Sequence, residues 1–122
     1  QLQIKYNGTR ELVSPFLLFI SNSNEMGYKM SLTPRASLQD GLLDLLMVPQ
    51  ISSFKLFLFT ILFLFKKHYW LREVRFEKVT TLKITNQDGL ILKTQKDGEL
   101  FVPKESNIEI AVCPKSLTVC AL

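Results

Sequence analysis

Apolar and polar positions alternate at the start of the chain, where Leu2, Ile4 and Tyr6 are separated by Gln3 and Lys5. A period of two is the strand period, because successive side chains of a strand point to opposite faces. Asn7-Gly8 follows as a turn signal. Pro15 to Ile20 is a second apolar run, ended by Ser21-Asn22-Ser23-Asn24. Leu42 to Val48 is apolar but for Asp44, and Pro49 closes it. A run of this length without alternation predicts a strand buried on both faces.

The pattern changes between Ser52 and Lys67. Ser52 or Ser53 suits a helix N-cap, and Lys66, Lys67 and His68 suit the negative end of the helix dipole. The segment between them predicts one long helix. Its large residues, among them Phe54, Phe57, Phe59, Leu62, Phe63 and Phe65, fall all around the cylinder and not on one stripe. It is shorter than the roughly 20 apolar residues a bilayer crossing needs. Two uses remain for so apolar a helix: burial against a partner domain or subunit, or a face resting in a membrane interface.

Strand signals then return. Thr80 to Thr85 and Leu90 to Leu92 flank Asn86-Gln87-Asp88-Gly89, which predicts a hairpin. Asp97-Gly98 marks another turn before Leu100-Phe101-Val102. Ile108, Ile110 and Val112 alternate with Glu109 and Ala111, and Leu117 and Val119 with Thr118 and Cys120. Many short strands with closely spaced turns predict a mainly β fold, an antiparallel β-sandwich with one long helix. Residues 1–122 suffice for a single domain with one core, and neither a repeat nor a linker interrupts them.

Composition adds little to this pattern. Hydrophobic residues make up 47% of the chain, enough for a core, and the nine Phe give it an aromatic bias. A net charge of +4 suits phosphates or anionic lipid as well as an ordinary surface. No Lys/Arg cluster with interleaved aromatics stands out, so nucleic acid is not an expected partner. The chain opens on strand-like sequence without a signal peptide, and a first residue of Gln1 suggests an excised fragment. Cys113 and Cys120 make neither a disulfide framework nor a zinc pattern, and read as free, packed thiols in a reducing cytoplasm.

Candidate chemistry is sparse. There is no Gly-x-x-x-x-Gly-Lys-Ser/Thr and no Gly-x-Gly-x-x-Gly to cradle phosphates. His68 reads as a capping cation, not a base. Three Asp-Gly pairs, Asp40-Gly41, Asp88-Gly89 and Asp97-Gly98, are turn formers first. Asp40 lies between Pro34-Arg35-Ala36 and an apolar strand, where its carboxylate and turn carbonyls suit a hard cation. Asp97-Gly98-Glu99 sets two carboxylates around one glycine, an arrangement that can aim them at a substrate hydroxyl.

The order of these pieces resembles the diacylglycerol kinase and sphingosine kinase superfamily of lipid kinases. The resemblance is carried by Asn22 through Gly27, then Pro34-x-Ala36, then Asp40-Gly41-Leu42-Leu43-Asp44, then the apolar helix with His68 near its end, and then Asp97-Gly98-Glu99. The tail, Ile108 to Val112, Pro114 and Ser116 to Val119, is similar to the family's closing strands. Two places differ from the family pattern: Gly27-Tyr28-Lys29 stands where a triple glycine is usual, and Leu71-Arg72-Glu73 where a proline often follows the helix.

The resemblance implies the C-terminal half of a two-domain enzyme of NAD kinase-like architecture, with ATP held mainly by an N-terminal half carrying Gly-Gly-Asp-Gly-Thr. It implies transfer of the γ-phosphoryl of ATP to a hydroxyl of diacylglycerol, of a sphingoid base or of another lipid, with the isolated domain inactive. Matched to the family motif, Asp40 is the magnesium ligand, helped by carbonyls near Ser37 and Leu42. Glu99 is the general base and Asp97 its acidic partner. The expected partners are the lipid, a membrane surface met peripherally from the cytoplasm, and a second copy in a homodimer. The competing expectation is a lipid- or membrane-binding β-domain with no chemistry.

Overall fold

The protein is described here by a computed structural model covering residues 1–24 and 31–114. Strand β1 (Leu2–Tyr6) turns into β2 (Thr9–Val13) at Asn7-Gly8, whose positive φ angles of 47° and 77° make the two-residue turn that matches strand twist. Strand β3 (Pro15–Ser21) pairs with β4 (Leu43–Pro49), and β4 with β5 (Arg75–Val79). Strand β6 (Thr81–Asn86) lies between β1 and β9 (Asn107–Ala111). All these pairings are antiparallel. They give a four-stranded sheet of order β2-β1-β6-β9 and a three-stranded sheet of order β3-β4-β5.

The sheets pack face to face. Ile4, Tyr6, Leu82 and Ile84 of the first meet Leu43, Leu45, Met47 and Val79 of the second in one core. The other face of the second sheet carries Leu46 and Val48, which pack with Leu32, Val74 and Phe59 of helix α1 (Ser53–Leu64). Strand β4 is therefore a middle layer, which is why its sequence shows an unbroken apolar run. Each of its fully buried leucines contributes on the order of 1.5–3 kcal/mol. The antiparallel sandwich with one helix is as the sequence predicts.

Ser52 caps α1 by accepting from the Lys55 N–H. The helix ends earlier than its apolar content suggests. Lys66 takes φ 57°, its N–H reaches the Phe63 carbonyl, and the Lys67 N–H reaches that of Leu62. This pair of bonds is a helix stop built on a left-handed residue. It reverses the chain into a short 3-10 turn, His68–Trp70.

Three expectations are corrected. His68 does not cap the helix: its ring is fully buried, and Nε2 lies 2.7 Å from the Leu32 carbonyl oxygen. Leu90 to Leu92 is not a strand, because both edges of β6 are already taken by β1 and β9. There the Asn86 side chain accepts from the Asp88 N–H and donates to the Leu90 carbonyl, which fixes a turn in place of a ladder. Cys113 is a free thiol but exposed, not packed. The Gly27-Tyr28-Lys29 loop, Ser116 to Val119 and Cys120 lie outside the described residues.

Candidate functional site

Asp40 stands in the turn that feeds β4. Its Oδ1 accepts from the Leu42 N–H at 3.0 Å, closing a small side-chain turn. Its Oδ2 accepts from Lys78 Nζ at 2.8 Å. Lys78 sits directly across from Asp44 in the β4–β5 ladder and also donates to Asp44 Oδ2 at 3.0 Å and to the Arg35 carbonyl at 3.4 Å. Two carboxylates and a carbonyl thus converge on one ammonium, and the Asp44 side chain among them is nearly buried. The Lys78 ammonium, and after it the Leu42 N–H, hold the Asp40 carboxyl below the usual carboxylate range. In return Asp40, more than Asp44, raises the lysine. Ser37 belongs to the same loop, its hydroxyl accepting from the Gln39 N–H.

The oxygen set suits a hard cation, since carboxylates and carbonyls are the ligands magnesium takes. The ammonium already satisfies those oxygens, so a divalent ion would have to displace Lys78 from Asp40. No cluster of three His, Cys, Asp or Glu side chains able to hold a metal occurs among the described residues.

The loop holding Asp40 is tied to α1 through His68. Around that ring Phe59, Phe63 and Phe76 each stand with centroids at 5.6 Å, and its Nε2–H donates to the Leu32 carbonyl. Burial lowers the His68 pKa more strongly than the carbonyl raises it, so the ring is a neutral donor at neutral pH. One turn on, the Ala36 N–H bonds the Thr33 carbonyl, and Thr33 Oγ1 donates to the Ser23 carbonyl. The path from helix end to Pro34-Arg35-Ala36 and Asp40 is therefore continuous.

Asp97 and Glu99 lie elsewhere. Strands β7 (Thr94–Lys96) and β8 (Glu99–Phe101) form a separate two-stranded ribbon, with Lys96 facing Glu99 across the loop Asp97-Gly98. The loop φ angles of 50° and 88° are those of a type I′ turn, which Asp-Gly favours because glycine carries no Cβ to clash. The Gln95 side chain donates to the Gly98 carbonyl and steadies the tip. Glu99, Leu100 and Phe101 are all exposed. No hydrogen bond or ion pair joins either carboxylate to the Asp40 cluster among the described residues. Gly41 has a positive φ of 69° in the Asp40 turn.

Sequence reading passed over Lys78, whose signal was a charged residue next to last in the strand Arg75-Phe76-Glu77-Lys78-Val79. It also passed over the clamp between the sheets: Arg75 grips Glu11 with both guanidinium nitrogens at 2.9 and 3.0 Å, and Tyr6 donates to the same carboxylate at 2.7 Å. Lys66-Lys67-His68-Tyr69-Trp70-Leu71-Arg72 does interleave cations with aromatics. In the structure Lys67 lies over Trp70 at 4.6 Å, and Arg35 over Tyr69 at 4.9 Å.

Solved structures share this fold. A "putative diacylglycerol kinase" from Bacillus anthracis str. Sterne superimposes with a TM-score of 0.66 at 20% identity, over 90% of this chain and 36% of that one. A second structure of such a protein from the same organism gives a TM-score of 0.68 at 19% identity, again over 90% and 36%. A third, named as a diacylglycerol kinase of that organism, gives 0.58 at 15%, over 91% and 39%. The chain thus spans little more than a third of the length of these proteins. No curated protein sequence matches it. The family whose description is "YegS C-terminal NAD kinase beta sandwich-like domain" matches residues 1–121, and the chain belongs to that family.

Proposed function

We propose that the chain is the lipid-receiving domain of an ATP-dependent lipid kinase, whose reaction moves the γ-phosphoryl of ATP to a lipid hydroxyl such as that of diacylglycerol. The observation that carries this reading is membership of the YegS C-terminal family together with the Asp-Gly-Glu hairpin. The name borne by the structures of like fold supports it. ATP would be gripped mainly by residues outside this chain, since no phosphate-cradling glycine motif occurs in it.

Glu99 is the general base in this reading. Its carboxylate accepts the hydroxyl proton as that oxygen bonds to the γ-phosphorus, the bond to the β–γ bridging oxygen breaks, and ADP leaves. Asp97 is its acidic partner on the same turn. Among the described residues no ion pair engages this tip, which leaves both carboxylates available to a substrate. Asp40, with carbonyls near Ser37 and Leu42, would hold a magnesium ion in competition with Lys78, and the ion would supply positive charge that steadies the loop. ATP as co-substrate places the reaction in the cytoplasm.

The experiment is ATP-dependent phosphorylation assayed with the full-length protein and a panel of diacylglycerol, monoacylglycerol and sphingoid base in mixed micelles. Phosphorylated diacylglycerol or another phosphorylated lipid is the expected product. ATP hydrolysis with no phosphorylated lipid across the panel would retire the reading.

A further inference from the structure

Helix α1 carries two apolar stripes. The inner one, with Phe59 and Phe63, packs on the sheet. The outer one faces away from it: Phe54, Phe57, Ile61 and Leu64 recur at spacings of three and four and continue into Phe65. Phe54 is 75% exposed, Phe57 64%, Leu64 69% and Phe65 70%. Trp70, 60% exposed, follows in the 3-10 turn after the helix stop. Scattered single apolar residues on a surface are ordinary, but a contiguous stripe of this size is a contact surface.

Charge identifies what it contacts. Between Asp44 and Glu73 the sequence has no carboxylate and four cations, Lys55, Lys66, Lys67 and Arg72. These four equal the whole net charge of +4; the rest of the chain balances eleven cations against eleven carboxylates. Lys55 is paired with Glu73 at the start of the helix, which leaves the cationic end at Lys66, Lys67 and Arg72. Lys67 lies against the face of Trp70, so a cation and an indole with one apolar body stand side by side. Such side chains settle where hydrocarbon meets headgroups. A second copy docked through this face would bring like charges together, and a polyphosphate backbone would make no use of Ile61 or Leu64.

We infer that the outer face of α1 with the 3-10 turn after it is a docking surface for an anionic lipid bilayer, lying in the plane of the interface with Lys66 and Lys67 among the headgroups. The helix is 12 residues long, and no helix among the described residues is long and apolar enough to cross a membrane. Docking in the plane is the mode open to it. The inference rests on the lipid-kinase reading for its purpose, since it brings the domain to the phase that holds the substrate, but the binding itself requires no turnover.

The test uses Trp70, the chain's single tryptophan, as an internal probe. The chain is mixed, without ATP, with vesicles of phosphatidylcholine alone or with a quarter phosphatidylglycerol, and followed by emission and by co-sedimentation. A blue shift is expected, with at least tenfold stronger partition to the anionic vesicles that weakens as salt is raised. F54S/F57S should lose at least tenfold on both compositions with unchanged circular dichroism and melting, because both side chains are exposed. Phe63 is unsuited to this test, since it packs in the second core and against His68. K66E/K67E should lose only the anionic preference. Failure of the parent to bind anionic vesicles, or equal binding by F54S/F57S, overturns the inference. So does a concentration-dependent dimer, abolished by F54S/F57S, in a parent that ignores vesicles. Vesicle binding without lipid phosphorylation would leave the docking intact and sink the kinase reading; phosphorylation of short-chain soluble lipid without vesicle binding would do the reverse.

Discussion

Replacing His68 with leucine removes one hydrogen-bond donor from a fully buried, apolar-walled site while nearly keeping its volume. The Leu32 carbonyl then loses its partner, and a buried acceptor left unpaired costs about 1–3 kcal/mol. The three edge and tilted ring contacts with Phe59, Phe63 and Phe76 weaken as well, at about 0.5–1.5 kcal/mol for an aromatic pair. With one pair's worth lost over the three ring contacts, the sum is about 1.5–4.5 kcal/mol. For 122 residues the unfolding entropy is about 0.26 kcal/mol/K, so Tm should fall by about 6–17 °C. The pH dependence has a fixed sign. Burial holds the folded-state pKa of His68 below its ordinary value of 6.5, so the unfolded chain takes up the proton first as pH falls. The stability from a neutral His68 is fully present above pH 6.5 and is lost below it, with a limiting slope of about 1.4 kcal/mol per pH unit. His68→Leu has no such term, so its deficit against the parent should shrink on acidification. Differential scanning calorimetry of both proteins between pH 7.5 and 5 measures this. A Tm within about 2 °C of the parent, or a deficit that does not change with pH, would refute the account of His68 as a buried neutral tether.

Two further predictions concern charged clusters. Arg75, aided by the Tyr6 hydroxyl, holds the Glu11 carboxyl below its ordinary value, so the stability from this clamp is present above about pH 4.5 and is lost as pH falls through the lowered pKa. Arg75→Met should cost about 1 kcal/mol at pH 7, kept small by the half-exposed guanidinium, and should flatten the acid limb of a urea-melt pH series; an unchanged acid limb would remove the clamp from the account. If magnesium competes with Lys78 for Asp40, Lys78→Met should enlarge the rise in Tm on adding millimolar Mg²⁺, and Asp40→Ala should abolish it; equal responses in parent and both variants would leave Asp40 a turn residue.

The sequence announced the layers more clearly than the polar contacts. The unbroken run at β4 and the alternation at β1, β6 and β9 are direct consequences of burial on two faces or one, so periodicity revealed them. Strands β2 and β5 escaped it because Thr9-Arg10-Glu11 and Arg75-Phe76-Glu77-Lys78 mix charges into edge positions. Leu90 to Leu92 looked like a strand because its apolar content was visible while the filled edges of β6 were not. His68 illustrates the limit best. Local sequence beside two lysines suggests a surface cation, and only the left-handed turn at Lys66 reveals that the ring swings inward. For the candidate site, Asp40 and the Asp97-Gly98-Glu99 turn were legible from motif order. Lys78 was not, because its partners Asp40 and Asp44 lie 38 and 34 residues away and meet it only through the β4–β5 ladder.

The central claim is that Glu99 takes the proton of the lipid hydroxyl. Single-turnover phosphorylation of diacylglycerol by the full-length protein and its Glu99→Gln variant tests it most directly, because binding and release are then separated from chemistry. The account predicts a phosphoryl-transfer rate lower by about 10²–10⁴ in the variant, the usual share of a general base, with ATP affinity and Tm unchanged. A variant that transfers phosphate within a few-fold of the parent rate, with chemistry shown to limit both, would contradict it.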